Sequence, residues 1–434
     1  VKRLGVIAVL LATAYTARAA DTHAPVYTLE ECIDLGLEQA IRMRNARRDV
    51  EIAEAGITEA RAAALPQASL SAQYERLDEA TLAGRENRTV SGRLEQLLFA
   101  GGRVRSAVRA ARAYRGLVSD GVDLSRASLI RDIRLGFHGV LLAREQVEVR
   151  EQSVATLRDF VEDATAAYRA GAASEFDQLS AEVRLANERP ALIDARNRLE
   201  TAKRRFRDLV YLEPETFRLR GELAYRPFPY EYHELLSGID ARRPELRRQE
   251  DTIRLREADV AHARSEYFPE ITAGGNYLFQ KPDPYSFFLS DRGGWEDSWT
   301  LTLSAEWPIF TGLSRRARIA QRRLEVTKAE DTLRDLRRQV ELEVRTQWLE
   351  LKRAESLIDS TAKNVTRAER ALEIARTRYR AGRGTQLEYT QANLDLSTAR
   401  LQHVEALRDY ADAEARLRYA AGLTRKERSD ESEE

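Results

Sequence analysis

A single cysteine, Cys32, occurs among the 434 residues, so no intrachain disulfide can form and no Cys-x-x-Cys pair exists for a metal or a redox reaction. The five histidines, His23, His138, His233, His262 and His403, are scattered without His-Glu-x-x-His or any other ligand spacing, and no Walker loop is present. No catalytic constellation appears, no metal or cofactor is expected, and an enzyme is the least favoured class. Apart from the extreme N-terminus, no segment approaches the roughly 18 apolar residues that a transmembrane helix needs. Any membrane contact must therefore be β or peripheral. Basic and acidic residues balance at 70 each, which leaves no bulk positive charge for a nucleic-acid partner.

The hydrophobic content of 43% excludes wholesale disorder. Residues 1–19 read as a secretory signal peptide: Lys2 and Arg3, an apolar core, then Ala17-Arg18-Ala19 as a small-x-small cleavage site. The stretch Asp297 to Phe310 alternates. Trp299, Leu301, Leu303, Ala305 and Trp307 fall on one side of an extended strand, and Ser298, Thr300, Thr302, Ser304 and Glu306 on the other. Trp299 and Trp307 stand roughly 26 Å apart at strand rise, close to the apolar band of an outer-membrane barrel with its two aromatic girdles. Unpaired backbone in lipid costs several kcal/mol per group, so such a strand needs the rest of a barrel.

The chain repeats itself. Leu65-Pro66-Gln67 matches Phe268-Pro269-Glu270, Phe99-Ala100-Gly101 matches Phe310-Thr311-Gly312, and Tyr168-Arg169-Ala170-Gly171 matches Tyr379-Arg380-Ala381-Gly382. The longer hairpin loop of the second copy, Lys281 to Gly294, faces a shorter one around Asp78 to Asn87 in the first. Thr28-x-x-Glu31 predicts a capping box opening a short helix, and a second helix is expected from about Ala46 to Ala64. The first strand alternates Ala68, Leu70, Ala72 and Tyr74 against Ser69, Ser71, Gln73 and Glu75. In its partner, Arg93 and Glu95 have to face a lumen, because a charge on the lipid face near mid-bilayer costs roughly 2–4 kcal/mol. Gln96 breaks that pattern.

Proline is missing from Val104 to Tyr168, where Ala, Arg, Leu and Glu dominate; one helix roughly 100 Å long is predicted. Gly171 ends it, and a return helix starts at Ser174 and carries Pro190, where a kink is expected. The second long helix is predicted from Ser314 to Arg380, with apolar residues from Leu333 to Ala375 recurring at the heptad spacing of 3.5, so these helices pack side by side. The divisions are 20–65 N-terminal helices, 66–99 first membrane hairpin, 100–210 first helical hairpin, 211–241 connector and 242–267 helix. They continue with 268–310 second membrane hairpin, 311–422 second helical hairpin and 423–434 disordered tail. Two copies of helix, hairpin, helix, helix give four strands per chain, and the smallest membrane barrels need eight. Two chains would supply eight and three would supply twelve, the latter with room for a channel. An even strand count puts both termini and all the helices on one side, the periplasm.

This constellation resembles the TolC-like outer-membrane efflux proteins. The marks are T-L-E-E-C-I-D-L-G-L-E-Q-A near the N-terminus, L-P-Q and F-P-E at the strand entries, F-A-G-G and F-T-G at the exits, and Y-R-A-G before each return helix. The resemblance implies a mainly α protein with membrane β: a homotrimer with a long α-helical coiled-coil barrel and a shared 12-stranded transmembrane β-barrel in the outer membrane of a Gram-negative bacterium. It further implies docking on a periplasmic adaptor and an inner-membrane pump of RND or ABC type, and export of small molecules. By the same resemblance Asp177 and Glu388, with Arg383 beside them, belong to the periplasmic aperture, and Gly171, Ser174, Gly382 and Thr385 to the adaptor contact. Tyr74, Tyr277, Trp299 and Trp307 are the membrane-interface aromatics, touching outer-membrane lipid. Ser174-x-x-Asp177 and Thr385-x-x-Glu388 also read as capping boxes, and the run Arg315-Arg316-Ala317-Arg318 as a headgroup contact or a solvated helix face. Two rival readings are the exit duct of a type I protein secretion system and, from another class, a periplasmic coiled-coil scaffold.

Overall fold

A computed structural model describes residues 24–81, 84–281 and 295–424. The expected signal peptide, nearly all of the second hairpin loop and residues 425–434 of the tail lie outside them. Thr28 caps α1 (Leu29–Gln39) through a complete box in which Glu31 N–H donates to Thr28 Oγ1 and Thr28 N–H to Glu31 Oε2. These bonds hold the Glu31 carboxyl below its usual range. The next helix, α2 (Ile41–Ala62), starts five residues before Ala46, because Ala40 in extended conformation is its only break from α1.

Four strands follow the two-residue alternation: β2 (Gln67–Thr81) and β3 (Gly84–Ala100) in the first copy, β5 (Glu270–Lys281) and β6 (Glu296–Glu306) in the second. The expected loop around Asp78 to Asn87 is instead strand up to Thr81 and again from Gly84, since the two arms stay paired after a register shift beyond Arg76. All four form one antiparallel sheet in the order β2-β3-β5-β6. The short strand β1 (Val26–Tyr27) pairs in parallel with β4 (Arg218–Leu219) inside the connector, which is therefore not wholly irregular.

The helices form one layer. α3 (Arg103–Arg169) and α8 (Ser314–Arg380) each contain 67 residues, about 100 Å at 1.5 Å per residue. α3 lies between α2 and α7 (Pro244–Ser265) nearer the sheet, and between α4 (Glu175–Val210) and α9 (Gln386–Ala420) farther away; α8 flanks first α7 and then α9. α4 runs without interruption through Pro190. Along α8 every residue of the heptad set is buried or half-buried, from Leu333 through Val344, Leu351 and Ala354 to Ala375. Two cores fix the middle of the layer, one per copy. Cys32, Met43, Ile133, Phe137, Phe206 and Val210 form the first; Val344, Leu351, Tyr410 and Leu417 form the second with Leu235 of the short α5 (Tyr232–Leu236). Burial pushes the Cys32 thiol up to about 12, which leaves it an inert apolar filler.

Candidate functional site: hairpin tips and a two-faced sheet

Both helical hairpins turn by the same device. Gly171 (φ +72) and Gly382 (φ +68) adopt the left-handed conformation that closes a helix C-terminus. Ala172 N–H then donates to the Ala167 carbonyl at 2.8 Å, and Arg383 N–H to the Arg378 carbonyl at 2.9 Å. The return helices open on complete capping boxes. Ser174 N–H donates to Asp177 Oδ2 at 3.0 Å and Thr385 N–H to Glu388 Oε2 at 3.1 Å, while each acidic residue's own N–H donates back to the Ser or Thr oxygen. Asp177 and Glu388 are thus capping residues, Asp177 half-buried and Glu388 exposed. Gln386 Nε2 donates to the Asp177 carbonyl at 3.1 Å, bringing the two tips together. The cation facing Glu388 is Arg378, with Nη2 4.0 Å from Oε1. Arg383, the neighbour singled out from sequence, is exposed and forms no ion pair among the described residues. Gly384 also shapes the second turn: a Cβ there would lie 3.0 Å from the Arg378 Cβ and 3.1 Å from the Tyr379 nitrogen, a tight fit that a side chain could meet only by shifting the end of α8.

At the opposite end the register sorts every strand residue. One face carries the rows Ala68–Leu94–Gly275–Leu301 and Leu70–Gly92–Tyr277–Trp299; the other carries Ser69–Arg93–Asn276–Thr300 and Gln67–Glu95–Gly274–Thr302. The apolar rows are widely exposed, Trp299 at 75% and Leu301 at 78%, as suits a surface whose solvent is hydrocarbon. Tyr277 and Trp299 are direct cross-strand partners, and Tyr74 lies nearer the hairpin ends beside Arg88. Trp307 stands just past β6 at the helical end, its Nε1 donating to the Tyr267 carbonyl at 3.0 Å. Phe279 and Trp295 add a stacked pair, centroids 4.6 Å apart, near the hairpin ends. Gln96 lies on the apolar face but next to the helices, where its amide donates to the Ala64 carbonyl at 2.8 Å. Beyond it Leu98 is an extra residue, and Phe99 falls opposite Ile271 on the apolar side. Arg315 does not meet headgroups: it is 6% exposed and donates to the Glu266 and Ile309 carbonyls, holding the strand exit against the end of α7.

The sequence profile of the outer membrane efflux protein family matches residues 32–210 and 235–423, one stretch for each structural copy. The chain belongs to the outer membrane efflux proteins. It is similar to nodulation protein T of Rhizobium leguminosarum bv. viciae, 22% identical over 418 residues that cover 91% of this chain and 81% of the relative. It is also similar to outer membrane protein OprJ of Pseudomonas aeruginosa, 26% identical over 394 residues covering 84% and 77%. In fold it matches the CmeC outer membrane channel of Campylobacter jejuni with a TM-score of 0.77, covering 91% of this chain and 85% of that one at 17% identity. Membership places the two-faced sheet in the outer membrane of a Gram-negative bacterium and makes the chain a transport channel component of a non-enzymatic family.

In this efflux protein a four-helix core lies just behind the tips. Phe160 and Ala164 of α3, Ala181 of α4, Ala375 of α8, and Tyr389 and Ala392 of α9 are buried together. Phe160 stacks on Tyr389, centroids 4.6 Å apart and planes 24° apart, and Tyr379 leans on both. Desolvation pushes the Tyr379 and Tyr389 hydroxyls above their usual range, and the Tyr389 hydroxyl has no hydrogen-bond partner among the described residues. Outside the core, Arg376 pairs with Asp159 at 3.3 Å and Arg380 with Asp163 at 2.8 Å, two rungs between α8 and α3. Swinging α8 and α9 away from α3 would break the rungs and the stack while leaving each hairpin intact. Phe160 and Tyr389 carry a sequence signal of their own, an aromatic residue close to a helical turn on each of the four long helices, Tyr168, Phe176, Tyr379 and Tyr389 among them.

Proposed function

We propose that three copies of this chain close a twelve-stranded barrel over a helical tunnel and serve as the passive outer-membrane duct of a tripartite efflux system for small molecules. The observation that carries this is the four-stranded sheet, apolar on one face and polar on the other, whose edge strands β2 and β6 each have one neighbour among the described residues. Unpaired strand edges are not tolerated in lipid, and four strands fall short of the smallest closed barrel. The helical layer supports the same pooling. Its outer edges, α4 and α8, expose Phe176, Leu179 and Val183 on one side and Leu342 and Leu349 on the other, apolar stripes suited to a neighbouring copy.

The tip turns are then the periplasmic end of the tunnel, where Asp177, Glu388 and Arg383 line the entrance. Gly171, Ser174, Gly382 and Thr385 form the surface offered to a periplasmic adaptor, itself coupled to an inner-membrane pump of RND or ABC type. Energy comes from that pump, since the duct has no nucleotide site in its sequence. The test is threefold. Outer-membrane fractions should yield a heat-modifiable trimer, the purified protein should conduct in planar bilayers, and crosslinkers at Ala172 or Arg383 should capture an adaptor. A monomer recovered from the soluble periplasm would overturn the reading, and capture of a protein-secretion adaptor would overturn the small-molecule part of it.

A further inference from the structure

The membrane-facing side of the sheet carries an arrangement that lipid contact alone leaves unexplained. Arg88 of β3 and Lys281 of β5 are direct cross-strand partners, with Tyr74 beside Arg88 on β2, so two cations stand side by side on the apolar face at its outer rim. Like charges directly opposite each other destabilise a strand pair. Arg76 lies one row farther out. Acids share this rim as well: Glu86 is the cross-strand partner of Arg76, and Asp78 follows Arg76 two residues on along β2. Glu86 pairs with Arg88 at 3.1 Å, and Asp297 accepts the Tyr277 hydroxyl at 2.9 Å. Lys281 and Arg76 form no ion pair among the described residues. The Arg88 guanidinium lies over the Tyr74 ring, 5.7 Å from its centroid, which holds it at the rim.

Four residues inward along β3, about 13 Å at strand rise, the same face is hollowed. Gly92 and Gly275 present no side chain, and a Cβ at either would meet nothing within 4 Å. The resulting shallow notch, open on its outer side, is bordered by Leu94, Leu301, Tyr277 and Trp299. Cations at headgroup depth above an apolar slot match one kind of molecule, an anion with a hydrocarbon tail. We propose that Arg88 and Lys281, with Arg76, bind the phosphate of an outer-leaflet phosphorylated lipid whose acyl chain lies in the notch over Gly92 and Gly275. A phosphate between Arg88 and Lys281 replaces their repulsion with two charge-assisted hydrogen bonds. The site rests on the placement of the sheet in the outer membrane, and on nothing at the tips.

The full chain in detergent micelles is titrated with dioleoyl phosphatidic acid, dioleoyl phosphatidylcholine and inorganic phosphate, and retained lipid is read by native mass spectrometry. The wild type is expected to hold phosphatidic acid at least tenfold more tightly than phosphatidylcholine, whose choline covers the same phosphate. R88Q/K281Q should abolish that preference. G92L/G275L should weaken phosphatidic acid binding severalfold while keeping the preference, and E86Q should strengthen it by freeing Arg88, a gain that misfolding cannot produce. Equal binding of the two lipids, an undiminished preference in R88Q/K281Q, or a loss in E86Q would overturn the proposal. Displacement of the lipid by equimolar inorganic phosphate would overturn it in favour of a free-anion site. Planar-bilayer conductance of the same variants reports separately on the duct, so lost conductance with intact lipid preference would count against the channel reading alone.

Discussion

Tyr389 is 1% exposed, and its hydroxyl is enclosed without a partner among the described residues while its ring stacks on Phe160. Both conditions hold only while α9 is docked on α3; once the helices part, the hydroxyl meets water. Tyr389→Phe therefore removes a cost of the docked state, about 1–3 kcal/mol for an unpaired buried polar group. That is a shift of roughly fivefold to a hundredfold toward docking. Phe160→Ala acts in the other direction. It empties a fully buried ring site, a loss of about 3–5 kcal/mol, and strips the partner from Tyr389. Open probability in planar bilayers should fall for Tyr389→Phe and rise for Phe160→Ala, and amide hydrogen exchange over residues 386–396 should slow in the first and quicken in the second. If Tyr389→Phe opens the channel, or both variants move the same way, the stack does not hold the tips together.

Asp177→Asn with Glu388→Gln should lower the cation preference of the channel in planar bilayers, and unchanged selectivity would confine both residues to helix capping. Arg243 is 4% exposed and donates to the Ala420 carbonyl, Glu343 and Glu245. Arg243→Ala should destabilise by about 3 kcal/mol, near the low end for a broken buried pair because Glu343 is partly solvated, read as a lowered denaturation midpoint in detergent. Burial depresses the His403 pKa below its ordinary value near 6.5, its Nδ1 lying 3.1 Å from Thr361 Oγ1. The folded state then binds fewer protons than the unfolded chain, so His403 contributes stability that is full above pH 6.5 and is lost as pH falls below it. The melting temperature should drop between pH 7.5 and 5.5, and by less in His403→Gln.

Much of the architecture is written in short-range patterns. The alternation 299–307, the heptad spacing from Leu333 to Ala375, the proline-free run after Val104 and the paired Gly171 and Gly382 are each decided by residues a few positions apart, because strand pleat, helix pitch and caps are local geometry. Two features escape short-range patterns, one where competing local rules meet and one where the partner is distant in the chain. The first hairpin looked like a loop from Asp78 because its residues are polar, yet strand pairing carries it to Thr81. Gln96 looked misplaced because its partner, the Ala64 carbonyl, lies 32 residues away in the turn after α2.

The sequence by itself therefore determined the two-copy plan, the sidedness of the strands, the length of the rods and the chemistry of the turns. Only the tertiary structure decided how the copies meet. The β3–β5 pairing joins two hairpins into one sheet, the rungs Arg376–Asp159 and Arg380–Asp163 join helices 217 residues apart, and Tyr389 is buried in the core that the two hairpins share. Arg88 and Lys281 become neighbours only when β3 and β5 come into register. Periodicity states which face of an element is apolar, whereas the choice of partner depends on distances that arise only after the chain has folded back on itself.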